Sequence, residues 1–353
     1  MRGFGSDNHS GSHPLILAAL AKTNEGHQPS YGTDPVTIAA QEIFRKHMGV
    51  SAETHFVFNG TAANVLSLAA FVKPHHSVLS SAQSHLINDE CGAPERFLGA
   101  KIIGIPTADG KLRVEDIRPH LIRRGDQHFS QVRAISITQP TELGTVYSLE
   151  ELKAISELAR SEKLVLHVDG SRLVNAAASL GCSLKEAVGG ADVVSFGGTK
   201  NGLVFGEAVV FMNQDKGFKP DTDFKFIRKQ AMQLPSKTRF IAAQFIELLA
   251  GDLWLKNARQ ANDMAKRLSS ELEKSPYVRL TQKTQVNGCF AIIPKELVSP
   301  LREISFFYVW DEHTFECRLM TSWDTESTDI DGFVSALNRL AKERNVKPIG
   351  AGA

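Results

Sequence analysis

No run of the 353-residue chain is apolar for long enough to cross a bilayer. The stretch Met1-Arg2-Gly3-Phe4-Gly5-Ser6-Asp7-Asn8 has no apolar core, so it is not expected to act as a signal peptide. Charge of one sign is also missing: 40 Lys and Arg stand against 39 Asp and Glu, a net +1. That removes the usual argument for a nucleic-acid or anionic-membrane partner. The four cysteines, Cys91, Cys182, Cys289 and Cys317, are widely separated and fit no metal or redox spacing. Reduced thiols and a cytoplasmic location are the expectation. Neither a Gly-rich dinucleotide fingerprint nor a phosphate-loop lysine is present, which argues against a nucleotide-binding module. The chain shows no internal repeat and no low-complexity tract.

What is present is a globular composition, 42% hydrophobic and 22% charged, at a length that suits about two domains. Short β-rich runs alternate with helical patterns from residue 31 onward. The strands are read at His55–Phe58, Ser77–Ser81, Ala100–Ile105, Val132–Thr138, Leu164–Asp169, Val193–Phe196 and Glu207–Met212. Asp34 before Pro35 predicts a helix through about Met48. Ser148 with Glu151 predicts a capping box and a helix to about Ser161. Val114–Arg123 reads as an amphipathic helix, and residues 215–235 as a charged loop. After helices over about 236–275, short strands and a final helix, Ile330–Glu343, suggest a smaller α+β domain. The alternation implies an α/β fold, a mostly parallel sheet covered on both faces.

Ligands in such sheets sit beyond the carboxyl ends of the strands. Val193-Val194-Ser195-Phe196-Gly197-Gly198-Thr199-Lys200 ends a buried run on a glycine turn and one lysine, where a Schiff base to an aldehyde cofactor can be built. Leu164-Val165-Leu166-His167-Val168-Asp169 ends a second run on an acid. That pair suits pyridoxal phosphate, the acid keeping the pyridine nitrogen protonated. Thr61, His85 and Glu142 also follow strand ends. Asn59-Gly60-Thr61 opens a helix; it is either a phosphate site or an ordinary capped connection. His85 is either a ring that stacks on a cofactor or a capping residue. Arg318 either points into a cleft or is an ordinary strand arginine.

Taken together, these residues resemble the L-threonine aldolases of the aspartate-aminotransferase-like, fold-type I pyridoxal phosphate enzymes. The resemblance spans essentially the whole chain. It rests on Ser6-Asp7-Asn8, Tyr31-Gly32 with Asp34-Pro35, Gly60-Thr61-Ala62-Ala63-Asn64, His85 with Glu90, His167-Val168-Asp169-Gly170-Ser171-Arg172 and Thr199-Lys200-Asn201-Gly202. It implies a seven-stranded, mostly parallel sheet with helices on both faces and a small C-terminal α+β domain. The expected division is an arm over 1–30 packed on a large cofactor domain over 31–245, and a small domain over 246–353.

The resemblance also implies roles. Lys200 would carry the cofactor, Asp169 would pair with its ring nitrogen and His85 would stack on the ring. Gly60 and Thr61 would bind its phosphate, with Arg239 and Lys229 reaching in from a neighbouring subunit of a homo-oligomer, a tetramer by expectation. Ser6, Arg172 and Arg318 would hold the substrate carboxylate. The implied reaction is retro-aldol cleavage of L-threonine, L-allo-threonine and related β-hydroxy-α-amino acids. The same sheet and Lys–Asp pair also serve serine hydroxymethyl transfer and β-elimination, and a catalytically silent relative is a further alternative. One departure concerns Gln139-Pro140-Thr141-Glu142, where many members carry Asn-Thr-His-Asn. The histidine there assists proton transfer, so the base in this chain is left among Glu142, Thr141 and a water held by His85.

Overall fold

Continuous apolar runs become strands buried on both faces, as a sheet covered by helices on each side requires. The computed structural model describes residues 2–212, 218–221 and 223–349. Its strands are β1 (Glu53–Val57), β2 (His76–Ser81), β3 (Lys101–Ile105), β4 (Gln131–Thr138), β5 (Val165–Gly170), β6 (Val193–Gly197) and β7 (Glu207–Phe211). They form one seven-stranded sheet in the order β1-β7-β6-β5-β4-β2-β3. Every residue of β5, β6 and β7 is buried. The pairs β2–β3, β2–β4, β4–β5 and β5–β6 are parallel. Only β7 runs the other way, antiparallel to β6 and to β1. The turn between β6 and β7 is too short for a crossover, so the chain must reverse there. Because β1 opposes β7, it runs with the other five, and six carboxyl ends share one edge.

Local chemistry explains the helix starts. Asp34 Oδ1 accepts from Thr37 N at 2.8 Å, and Pro35 opens the helix Pro35–Met48. Asn59 Oδ1 accepts from Ala62 N at 2.9 Å at the head of the helix Gly60–Ala69. Ser148 and Glu151 form the predicted capping box on Leu149–Ser161. Four phenylalanines join helices to sheet. Phe44 packs edge-on against Phe196 and Phe245, both at 5.2 Å between centroids, and Phe56 stacks on Phe245 at 5.5 Å. Such pairs add to the free energy of their burial.

The chain separates into two units. The sheet unit comprises Ser12–Glu142 and Val146–Trp254; the other comprises Met1–Gly11, Leu143–Thr145 and Leu255–Ala353. The second unit has its own antiparallel sheet of β8 (Arg279–Leu280), β9 (Gly288–Ile292), β10 (Tyr308–Asp311) and β11 (Glu316–Met320), in the order β10-β11-β9-β8. The helix Ser327–Glu343 packs on it, and Phe4, Phe307 and Phe333 lie in its core.

Several expectations need correction. The arm over 1–30 does not pack as a whole on the sheet unit. Phe4 N donates to Phe306 O and Phe4 O accepts from Met320 N, both at 2.7 Å, so the first eleven residues are stitched into the second unit. The expected boundary at 245 falls inside the helix Arg239–Ala250, and the division comes at 254. The helix over Val114–Arg123 stops at Ile117 and tightens into a 3-10 turn, Arg118–Leu121, because Pro119 removes a donor. Within 215–235, Phe224–Gln230 is helical, while 215–217 and 222 lie outside the described residues. A helix at Lys295–Ile304, with Pro300 inside it, had no sequence expectation. Among the described residues, no helix is long and apolar enough to cross a membrane.

Candidate active site

The carboxyl ends of β5 and β6 open on one hollow of about 330 Å³, mouth included. Lys200, Asp169, His85 and Gly60 all line it, with Asn64, Ser171, Ser195 and Glu207. Four residues picked out from sequence for a cofactor are therefore brought together. The register is direct: Asp169 of β5 pairs with Ser195 of β6, and the lysine turn begins two residues later at Gly197.

Asp169 is 5% exposed and well supplied with partners. Asn64 Nδ2 donates to Oδ2 at 2.8 Å, and Ser171 N donates to Oδ1 at 3.0 Å. Burial alone would raise its proton affinity. The charge of His85, the Asn64 bond and the Ser171 N–H outweigh burial and hold the carboxyl below the usual range. Asn64 also donates to Glu90 Oε1 at 2.8 Å, and the same oxygen lies 3.0 Å from His85 Nδ1. That bond raises the proton affinity of His85 against the effect of its partial burial; Asp169 adds to the rise and Lys200 opposes it. Two residues before Asp169, on the same face of β5, His167 lies between Ser136 Oγ at 2.9 Å and Ser195 Oγ at 3.0 Å. Burial pushes it down to about 4, so it is neutral.

Lys200 sits in the 3-10 turn Thr199–Asn201, beyond two glycines. Beside it Glu207, the first residue of β7, accepts from Gly198 N at 2.6 Å. Burial pushes Glu207 up to about 7, opposed by Thr199, the Gly198 N–H and Lys200.

The other sequence-picked residues stand elsewhere. Thr61, Glu142 and Arg172 belong to the sheet unit, outside the lining of the hollow. Thr61 is the second residue of the helix Gly60–Ala69, and Arg172 directly precedes the helix Leu173–Leu180. Glu142 Oε1 accepts from His85 N and from Thr138 Oγ1, each at 2.8 Å. Burial raises its carboxyl to about 7. Lys229 Nζ lies 5.2 Å from the centre of the Tyr31 ring, and the Arg239 guanidinium 4.9 Å from that of Phe240. Ser6 and Arg318 are in the second unit. Ser6 Oγ accepts from Asn8 N at 3.1 Å, and the Arg318 guanidinium lies 4.7 Å from the Trp310 ring.

Asn64 and Glu207 had no assigned role. Asn64 was legible in principle, lying one helical turn beyond Gly60 on the same face. Glu207 was signalled by a charged residue opening an otherwise apolar run.

Comparison with known proteins gives the family and the fold. The model of the beta-eliminating lyase family matches residues 3–294. A low specificity L-threonine aldolase of Pseudomonas aeruginosa is 43% identical over 330 residues, covering 92% of this chain and 93% of that one. Another from a Pseudomonas species is 42% identical over 334 residues, covering 93% and 94%. A solved threonine aldolase of Leishmania major superposes with a TM-score of 0.90 at 29% identity, over 96% of this chain and 99% of the other. On the family match and these two relatives, the chain belongs to the beta-eliminating lyase family, a family of pyridoxal phosphate enzymes.

Proposed function

We propose that the protein is a pyridoxal phosphate-dependent aldehyde-lyase that cleaves L-threonine, L-allo-threonine and related β-hydroxy-α-amino acids to glycine and an aldehyde. The names of its relatives support the reaction. One observation supports it above the others: Asp169 and Lys200, at adjacent strand ends, line the same hollow as the helix start at Gly60.

The residues fit the cofactor. Asp169 is held ionised by three partners, as an acid facing a pyridinium nitrogen must be. Lys200 supplies a primary amine. A Cβ at Gly60 would meet nothing within 4 Å, so a phosphate has room against the first N–H groups of a ten-residue helix. Thr61 can add its hydroxyl. When bound, pyridoxal phosphate supplies a protonated ring that accepts the electron pair of the breaking Cα–Cβ bond.

The chain's own groups do the rest. His85 offers a planar ring, and its bond to Glu90 favours the protonated imidazole, a group that can hand a proton to a bound water or substrate. Glu142 faces the His85 backbone N–H and the Thr138 hydroxyl, which supports a water held by His85 as the base and Glu142 as a support for it. Arg172 is assigned to the substrate carboxylate, where it fixes which bond at Cα is broken. Ser6 and Arg318 share that assignment on the resemblance alone. Lys229 and Arg239 are outside the lining of their own hollow, which suits a role in a neighbouring subunit of a homotetramer. A cytoplasmic location fits four unpaired thiols.

The test is direct. Purified protein with pyridoxal phosphate should show the visible absorption of a lysine Schiff base. It should also release acetaldehyde from L-threonine and L-allo-threonine. Lys200→Ala should lose both. Turnover retained in that variant, or a wild-type protein that releases no aldehyde, would end the reading.

A further inference from the structure

Glu207 has no part in the chemistry described so far. It opens β7, and its register pairs it with Gly197 of β6 on one side and Val57 of β1 on the other. Those two strands lead directly to the turn that carries Lys200 and to the turn that opens the helix at Gly60. Glu207 is 8% exposed and lines the hollow with Lys200. Its Oε2 accepts from Gly198 N at 2.6 Å, and Thr199 adds both a side-chain and a backbone hydrogen bond. A neutral glutamine could accept those bonds without the desolvation of a charge. The site holds an acid instead.

We propose that Glu207 is a positioning residue for Lys200: it clamps the Gly197–Thr199 turn that presents the amine and carries the counter-charge that stabilises the Lys200 ammonium. The inference rests on Lys200 being the cofactor-bearing lysine. Its physical basis is that a negative charge near a lysine in a low-dielectric hollow favours the ammonium form. The attraction is mutual, since Lys200 also favours the ionised form of Glu207.

The other titratable groups around the hollow are accounted for. His85 and Asp169 line it; Glu90 and Glu142 bond to His85, and His167 lies two residues from Asp169. Asp169 is already engaged by Asn64 and Ser171. The helix Arg239–Ala250 approaches Gly198 through Phe245, and Gly206, just before Glu207, through Ile241; neither side chain carries a charge. Glu207 is thus an acid whose hydrogen bonds go to Gly198 and Thr199, in the lysine turn itself.

The experiment follows acylation of Lys200 against pH in the full-length, cofactor-free chain, read by peptide mass spectrometry. Only the neutral amine reacts, so the midpoint reports the proton affinity of Lys200. Glu207→Gln keeps an acceptor for Gly198 and removes the charge. Its midpoint is expected to fall by about one pH unit or more. Glu207→Asp draws the charge back by one methylene and should shift the midpoint the same way by less. It serves alone if the glutamine variant does not fold. A wild-type midpoint in either folded variant overturns the proposal, because a purely structural role leaves the titration unmoved. The measurement needs no pyridoxal phosphate. A wild-type chain that binds no cofactor would therefore defeat the functional reading without touching this result.

Discussion

Asn64 Nδ2 lies 2.8 Å from Asp169 Oδ2 and 2.8 Å from Glu90 Oε1. One amide thus holds two buried acids apart and ties the helix Gly60–Ala69 to the end of β5. Removing it leaves both carboxyls short of a donor where water does not easily replace it. Loss of a hydrogen bond to a charged group costs about 1.5–3 kcal/mol. Asn64→Ala should therefore weaken pyridoxal phosphate binding roughly tenfold to a hundredfold. Asn64→Asp should do worse, since three acids would then meet. Spectrophotometric titration with the cofactor measures both; unchanged affinity in the aspartate variant would refute the role.

The His85–Glu90 bond makes a pH-dependent contribution to stability. The folded proton affinity of His85 is raised above its usual 6.5, chiefly by Glu90. The added stability is complete below that value and disappears as pH rises through the raised one. The His85 side chain is 38% exposed, so solvent screening limits the effect to less than about 1 kcal/mol. Glu90→Gln should lose stability at about pH 5.5 and little at about pH 8.5, read as urea midpoints. Equal losses at both would point to packing instead.

The legible parts of the chain are those whose cause is local. Asp34 before Pro35, and Ser148 with Glu151, carry their capping partners within four residues, so both helix starts were readable. Lys200 and Asp169 were readable because each ends a buried run, and the hollow at the strand ends does receive both. Other features depend on distant partners. The helix Lys295–Ile304 contains Pro300, a residue unfavourable inside a helix, yet Leu297, Val298 and Leu301 reach a core built from residues as remote as Phe4. The first eleven residues of the arm went to the second unit because Phe4 bonds to Phe306 and Met320, some three hundred residues away. The role of Glu207 needs the reversal of β7, which no periodicity announces.

Glu142 gives the opposite pH signature. Burial lifts its carboxyl from 4.5 to about 7, and its Oε2 is buried without a hydrogen-bond partner among the described residues. A raised acid detracts from stability. The penalty is absent below about pH 4.5, grows to about pH 7 and then levels, reaching about 3 kcal/mol. Glu142→Gln keeps an acceptor for His85 N and should match wild type in acid. Above neutrality it should be the more stable by up to that amount, seen in melting temperatures across pH. Its kcat should fall less than about tenfold if Glu142 only supports His85; a loss of about a hundredfold or more would make it the general base.

The glycines before Lys200 differ in what surrounds them, and that predicts a graded response. A Cβ on Gly197 would lie 2.6 Å from the Ser171 carbonyl carbon, which is backbone of the neighbouring strand's end and cannot turn aside. A Cβ on Gly198 would meet Leu203 Cδ2 at 2.5 Å and Phe245 Cζ at 2.8 Å, both side-chain atoms that can shift, with the nearest backbone atom, Gly206 O, farther off at 3.0 Å. Gly198 has φ −117°, a value open to any residue, so space alone sets its identity. Gly198→Ala should fold with a loss of about 1–3 kcal/mol, the usual cost of overpacking. Phe245 is packed by Phe44 and Phe56, so its displacement should also disturb the lysine turn and weaken cofactor binding. Gly197→Ala has no such relief and must part β5 from β6, the two strands that bring Asp169 and Lys200 together. It should be recovered unfolded or without cofactor affinity. A Gly197→Ala protein with wild-type melting and cofactor binding would show that the two strand ends can separate without harm to the site.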